Sequence, residues 1–199
     1  MTRLNSRPAT AGAGRVGPPA ARILPSPSLM LIQDELSTAL SLVDEAGLAQ
    51  LGDAFADRAR RWFVSGQGRS RLVACMAAMR LMHIGFDVYV TGEVTAPAIG
   101  ERDCLLMVLA SGETPVSLHL ARCAADAGAR VVAITSRQDS ALAAIADLVV
   151  AIPVRGSIQF GGSLFEQAAL ILLDALIIDL ARHDPHTYEV MRQRHTNLE

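Results

Sequence analysis

The segment VSGQGRSR, residues 64 to 71, carries residues suited to binding an anion at the end of an apolar run. Gly66 and Gly68 allow backbone N–H groups to approach a ligand closely. Ser70 adds a hydroxyl at the start of a helical pattern, where the helix dipole favours negative charge, and Arg69 adds a cation. These residue types at this spacing predict a site for a phosphate group.

A second turn of the same kind follows a later apolar run. Ser111, Gly112, Glu113 and Thr114 offer two hydroxyls and again open a helical pattern. Two such turns at neighbouring strand ends would cradle one phosphate.

Two other interpretations of the first turn stay open. A dinucleotide site of the form G-x-G-x-x-G uses its third glycine to pack helix against strand, and this chain has Arg71 there. Glu93 stands near the place expected for a ribose-binding acid in such a site. The turn could also do no more than reverse the chain.

The elements that position these turns alternate along the chain. Apolar runs predict strands at 62–64, 87–91, 104–109, 130–135 and 148–152. Helical spacing predicts helices at 29–61 (broken at Gly47), 70–83, 115–127, 140–146, 163–182 and 185–194. This alternation predicts one α/β domain with a parallel sheet covered on both faces. Ligands bind beyond the carboxyl ends of such strands, which selects the loops at 65–70, 92–101 and 110–114.

The composition narrows the class of protein. Of 199 residues, 51% are hydrophobic and 19% charged, as in a packed globular chain. A net charge of −2 and only 4% aromatic residues argue against nucleic acid or a membrane surface as partner. Cys75, Cys104 and Cys123 are predicted to be buried reduced thiols, and no Cys/His cluster has metal-ligand spacing. We therefore expect no metal site.

The N-terminal 28 residues are rich in Pro, Ala, Gly, Ser and Arg and lack an apolar core segment. We interpret residues 1–28 as a flexible tail rather than a signal peptide, and residues 29–199 as a single domain. The most apolar stretch, 168–180, is too short to span a bilayer. A cytoplasmic protein is expected.

Residues 30 to 199 resemble the SIS (sugar isomerase) domain family, and within it the 6-phospho-3-hexuloisomerases. The resemblance rests on GRSRLVACMAAMRLMHIGFDVYVTGE, on SGET followed by GARVVAITS, on GSLFEQAALILLDAL and on the closing RHTNLE. It implies a three-layer α/β/α sandwich with a five-stranded parallel sheet, of flavodoxin-like or Rossmann-like type. It also implies a homotetramer with shared active sites that interconverts D-arabino-3-hexulose 6-phosphate and fructose 6-phosphate without metal or cofactor.

The chain departs from this family at three positions. Family members usually have glycine where this chain has Arg71, and a Ser-Gly pair where it has Leu109 and Ala110. Leu109 removes one hydroxyl from the expected phosphate cradle. Two other functions stay open: a non-catalytic SIS module that binds a sugar phosphate, and a different phosphosugar aldose–ketose isomerase.

Moving a carbonyl from C3 to C2 through a cis-enediol requires a base and a hydrogen-bond donor. Glu166, in the first turn of a long predicted helix, is the candidate base. Ser163 to Glu166 also fits a capping box, in which Glu166 only accepts the Ser163 N–H. The resemblance of RHTNLE makes His195 the second candidate, as proton shuttle or donor, against an idle tail residue. Glu93 and Glu113 are candidate sugar contacts. Glu93 is alternatively an exposed loop acid, and Glu113 is alternatively an acid that only favours the helix N-terminus.

Overall fold

The computed structural model describes residues 26–198; the predicted tail at 1–28 lies outside this range except for its last three residues. Apart from a one-turn 3-10 helix at Phe160–Gly162, eleven α-helices and strands follow one another in the order that the sequence predicts, without the helix predicted at 140–146. They are α1 (Pro27–Ser41), α2 (Glu45–Ala56), β1 (Trp62–Gly66), α3 (Arg69–His83), β2 (Val88–Val90), β3 (Cys104–Val108), α4 (Pro115–Asp126), β4 (Arg130–Thr135), β5 (Leu148–Ala151), α5 (Ser163–Arg182) and α6 (Thr187–Arg194).

All five strands are parallel and lie in the order β2-β1-β3-β4-β5. The chain leaves β1 in one direction to form β2 and then returns to the other side of β1 to form β3. This reversal creates a crevice beyond the carboxyl ends of β1 and β3, which is where ligands bind in open α/β sheets. The predicted α/β sandwich with a five-stranded parallel sheet is confirmed.

Two hydrophobic clusters cover the two faces of the sheet. Trp62 and Val64 of β1 pack in the cluster that also contains residues of α2, α3 and α5. Phe63, between them in sequence, packs in the second cluster with residues of α4. Because successive strand side chains point to opposite faces and both faces are covered, the strands read as continuous apolar runs.

The break between the first two helices is at residues 42–44, so the prediction of a break at Gly47 is wrong. Asp44 caps α2 by accepting the N–H groups of Ala46 and Gly47 at 3.2 and 3.1 Å. Gly47 lies inside the first turn of α2, where a Cβ would stand 3.2 Å from the carbonyl oxygen of Val149. The glycine therefore serves close packing of α2 on β5. The last helical residue is Ala56, so residues 57–61 are not helical either.

The helix predicted at 140–146 does not form; the segment consists of turns. The N–H of Ala144 donates to Ser140 O, and that of Ala146 donates to Leu142 O. Asp147 then starts the approach to β5, with its carboxylate accepting the Val131 N–H at 2.7 Å. A segment this short contains too few hydrogen bonds to propagate a helix.

The three thiols differ in exposure. Cys104 is buried in β3, and this burial raises the pKa of its thiol. Cys75 is half-buried and Cys123 is exposed on α4, so the prediction of a buried thiol is wrong for Cys123. Separately, none of the helices within residues 26–198 combines the length and apolarity that a bilayer crossing requires.

Candidate functional site

The two predicted anion-binding turns lie side by side. Gly66, at the end of β1, is paired in register with Val108 of β3, so the turns that follow these strands are neighbours. A Cβ on Gly66 would lie 2.9 Å from both the carbonyl oxygen of Val108 and the backbone nitrogen of Arg71. Glycine is therefore required for the start of α3 to approach β3. Gly68, at φ +57°, then turns the chain into α3.

Three helices begin at this edge of the sheet without a side-chain cap. The N-cap residues are Gly68 for α3, Thr114 for α4 and Gly162 for α5, and none of their side chains accepts an N–H of its helix. Such helix starts leave N–H donors and positive dipole ends free for an anion. Ser70 is buried in the first turn of α3, so it contributes to the floor of this edge.

The second turn is held rigidly against the 140–146 segment. Gly112 has φ +67°, and a Cβ there would lie 2.2 Å from the Ser140 hydroxyl oxygen. The exposed Ser111 accepts the Glu113 N–H through its hydroxyl at 3.2 Å. One carboxylate oxygen of Glu113 accepts the Ala141 N–H at 3.0 Å. The second oxygen of Glu113 has no partner among residues 26–198.

Glu166 contacts the first turn through an arginine. Arg69 Nε donates to Glu166 Oε2 at 2.6 Å, and Arg69 Nη2 donates to the carbonyl oxygen of Gly161. Ser163 donates its hydroxyl to Phe160 O at 2.6 Å, and its N–H makes no bond to Glu166. The capping-box interpretation of Glu166 is therefore wrong, and its carboxylate faces the turn that would hold the phosphate.

Arg71 and Glu93 form an ion pair at the β2 side of the same edge. Arg71 Nη1 donates to Thr91 O at 2.8 Å, and Nη2 donates to Glu93 Oε1 at 2.9 Å. The arginine thus extends along the edge of the sheet instead of crowding between helix and strand. Its bulk, at the position where a dinucleotide site needs glycine, is accommodated by this outward path.

His195 does not reach the other predicted site residues within one chain. Its ring stacks on His83 with centroids 5.2 Å apart, at the C-terminal end of α3. Arg69 stands at the N-terminal end of the same helix, whose 15 residues span about 22 Å. The nine predicted binding residues lie at or after the ends of β1, β2 and β3, at the carboxyl edge of the sheet, and Glu166 joins them through Arg69, whereas His195 lies at the opposite end of α3.

Comparisons with known proteins identify the domain. A model of the SIS domain matches residues 57–179. The chain belongs to the SIS domain family. The 3-hexulose-6-phosphate isomerase of Mycobacterium gastri is 41% identical over 180 residues, covering 86% of this chain and 90% of the relative. The Bacillus subtilis enzyme of the same name is 35% identical over 84% of this chain and 95% of its own length.

A solved structure agrees with the SIS assignment. The crystal structure of a hypothetical protein from Methanococcus jannaschii has a TM-score of 0.77 and 30% identity, over 86% of this chain and 99% of its own. A molecular function of 3-hexulose-6-phosphate isomerase was inferred for that protein. The predicted family is confirmed.

One residue beside the candidate site was not predicted from the sequence. Ser136 follows β4, and its hydroxyl donates to Ala110 O at 2.7 Å. Thr135 Oγ1 donates to the same carbonyl at 3.2 Å. These bonds fix the second turn from the neighbouring strand. The sequence did contain a signal for Ser136, which is its position directly after a predicted apolar strand. The residue that follows a parallel strand lies at the ligand edge.

Two cavities lie away from the two anion-binding turns. A cavity of about 710 Å³ lies between α2 and the C-terminal half of α5. A smaller one of about 290 Å³ lies beneath Gly92 and Glu93, against Cys123 of α4. Within residues 26–198, no group of three or more His, Cys, Asp or Glu side chains is placed to hold a metal ion.

Proposed function

We propose that this chain interconverts D-arabino-3-hexulose 6-phosphate and fructose 6-phosphate. The observation that carries the proposal is its identity of 35–41% with two proteins named 3-hexulose-6-phosphate isomerase, over at least 90% of their lengths. The site geometry supports it, because the two anion-binding turns and a carboxylate meet at the β1/β3 crevice.

The phosphate binds between the two turns. Gly66 and Gly68 allow the N–H groups at the start of α3 to face the anion. Two hydroxyls of the second turn face the anion: that of the exposed Ser111 and that of Thr114, whose side chain does not cap α4. The phosphate is remote from the bonds that change, so its binding lowers the barrier by orienting the sugar.

Glu166 acts as the base. It removes the proton from C2 of the 3-ketose while the C3 carbonyl oxygen takes up a proton, which gives the C2–C3 enediol. The proton then returns at C3 while the C2 hydroxyl loses its own proton, which leaves the carbonyl at C2. Arg69 orients this carboxylate through the 2.6 Å bond to Oε2 and so links the phosphate turn to the proton-transfer group. Glu93 and Glu113 each retain one carboxylate oxygen that can accept a sugar hydroxyl.

The active protein is a homotetramer with sites shared between subunits, in the cytoplasm. Leu72, Met76 and Met79 share one face of α3, as predicted, but this face is exposed. The buried face of α3 carries smaller side chains that allow it to pack closely on the sheet: Val73, Ala74, Ala77 and Ala78. Ile171 and Ile178 of α5 are exposed as well. Exposed apolar helix faces are typical of subunit interfaces, and a neighbouring subunit would bring His195 to the site.

A non-catalytic sugar-phosphate module is the second candidate, because Leu109 and Ala110 replace the Ser-Gly pair of the resembling family. Incubation of the purified protein with fructose 6-phosphate, followed by chromatographic detection of the 3-ketose, separates the two. We expect 3-ketose from the wild type and none from Glu166→Gln, with phosphosugar affinity retained in both. Glu45→Gln, an exposed acid on α2, is the matched control. Saturable binding without turnover by the wild type would favour the module.

A further inference from the structure

The loop that connects β5 to α5, residues 152–162, contacts Arg69 of the candidate site at Gly161 and has few apolar anchors. Ile158 and Phe160 near its tip are 76% and 88% exposed. Gly156, Gly161 and Gly162 all have positive φ, and a regular helix begins only at Ser163. Burial therefore does not fix the position of this loop tip, and polar contacts must do so.

Glu35 of α1 supplies those contacts. Its carboxylate accepts the Ser157 hydroxyl at 2.7 Å, the Ile158 N–H at 3.0 Å and the Gln159 side-chain amide at 2.9 Å. The Ile158 N–H, followed by the two side-chain donors, lowers the pKa of Glu35 and keeps it ionised at neutral pH. Three donors on one carboxylate form the strongest link between α1 and the loop.

The same loop ends at the candidate base. Two residues beyond Gln159, the carbonyl oxygen of Gly161 accepts a bond from Arg69. Arg69 also donates to Glu166. A displacement of the loop would therefore move the Gly161 carbonyl, release one end of the guanidinium and change the direction of the Glu166 carboxylate.

We propose that Glu35 is a positioning residue for Glu166, acting through the loop at 152–162 and Arg69. The inference rests on the proposed function, because it assigns Glu35 to the alignment of that reaction's base. Glu35 lies outside the two phosphate turns, and the Arg69 guanidinium through which it acts is bonded to Glu166 and Gly161 O, so loss of Glu35 should affect proton transfer more than phosphate binding.

The test compares Glu35→Gln with Asp34→Asn, which removes the same charge from the neighbouring exposed position on α1. We expect Glu35→Gln to lower kcat about tenfold or more with KM within about twofold, since small misalignments of a reacting group cost this much. Asp34→Asn should match the wild type. Amide hydrogen exchange at 157–162 should quicken in Glu35→Gln alone.

A double-mutant cycle excludes a merely structural role. In an Arg69→Met background, Glu35→Gln should cause no further loss of kcat, because the intermediary is already absent. If Glu35→Gln fails to fold, Ser157→Ala removes one of the three bonds and should lower kcat in the same direction. If the wild type is active but Glu35→Gln has the same kcat as Asp34→Asn, the inference is overturned and the proposed function is not. Fully additive losses of kcat in the cycle have the same consequence. A wild type without turnover overturns the proposed function itself.

Discussion

Two arginines at the start of α3 show how much a side chain's role depends on its partner. Arg69 turns toward α5 and bonds Glu166, whereas Arg71 turns toward β2 and bonds Glu93. The sequence predicted Arg69 at the ligand edge, because the turn at 65–70 follows a strand, and it marked Arg71 only as a departure from glycine. It could not identify their partners, which are 97 and 22 residues away in the chain.

Arg71 should be dispensable for binding, although it replaces a glycine of the resembling family. Its guanidinium is occupied by Thr91 O and Glu93, and the pair is exposed to solvent. We expect Arg71→Ala to change KM by less than about twofold and the free energy of unfolding by less than about 1 kcal/mol. Steady-state kinetics and urea denaturation measure both. A KM raised tenfold would mean that Arg71 contacts the phosphate.

Ser111 should matter for binding and little for turnover. Its hydroxyl is exposed in the second turn, and a hydrogen bond to a charged phosphate contributes about 1.5–3 kcal/mol. Ser111→Ala should therefore raise KM about tenfold or more with kcat within about twofold. Ser37→Ala, an exposed serine on α1, serves as control. An unchanged KM would remove the second turn from the site.

At the scale of elements, local patterns predicted what depends on local chemistry. Apolar runs located all five strands, and the bounds of α5 match the predicted range, because burial and helical periodicity are written in neighbouring residues. The N-cap of α2 at Asp44 is a local signal that was not used in the prediction. The turns at 140–146 were not predicted because contact with the Ser111–Thr114 turn decides them. The sequence also did not predict that the face of α3 with Leu72 is exposed, because periodicity identifies a shared face without saying what covers it.

Two glycines of the site turns form a matched pair for measuring the steric part of their role. Gly68 and Gly112 have similar positive φ values, 57° and 67°, so alanine is strained at both. A Cβ has open space at Gly68 but would overlap Ser140 at Gly112. Gly112→Ala should therefore lose about 1–3 kcal/mol more unfolding free energy than Gly68→Ala, measured by urea denaturation. Equal losses would show that the second turn is not held against Ser140.

At the scale of the whole molecule, the order of the strands in the sheet creates the site. Reversal of strand order between β1 and β3 places turns that are 45 residues apart next to each other, as the register of Gly66 with Val108 shows. The sequence predicted this meeting through the general rule for parallel sheets. This rule does not predict the stacking of His195 on His83 or the hydrogen bonds of Glu35 to the loop at 152–162. These contacts join segments that no local pattern relates.

The exposed apolar face of α3 should mediate assembly. Met79 is 49% exposed at the C-terminal end of this face, and a charge there would be buried without a partner in an interface. We expect Met79→Glu to lower the mass measured by light scattering, relative to a tetrameric wild type. Val116→Glu introduces the same charge at an exposed apolar position on α4 and should leave the mass unchanged. A monomeric wild type would contradict shared sites.

The β1–α3 and β3–α4 turns should together hold the phosphate of the sugar. A crystal structure of the protein with fructose 6-phosphate would show where that phosphate binds. The phosphate oxygens should lie within hydrogen-bond distance of the N–H groups at the start of α3 and of the Ser111 hydroxyl, with C2 and C3 facing Glu166. A phosphate seated elsewhere, for example in the cavity between α2 and α5, would contradict the account.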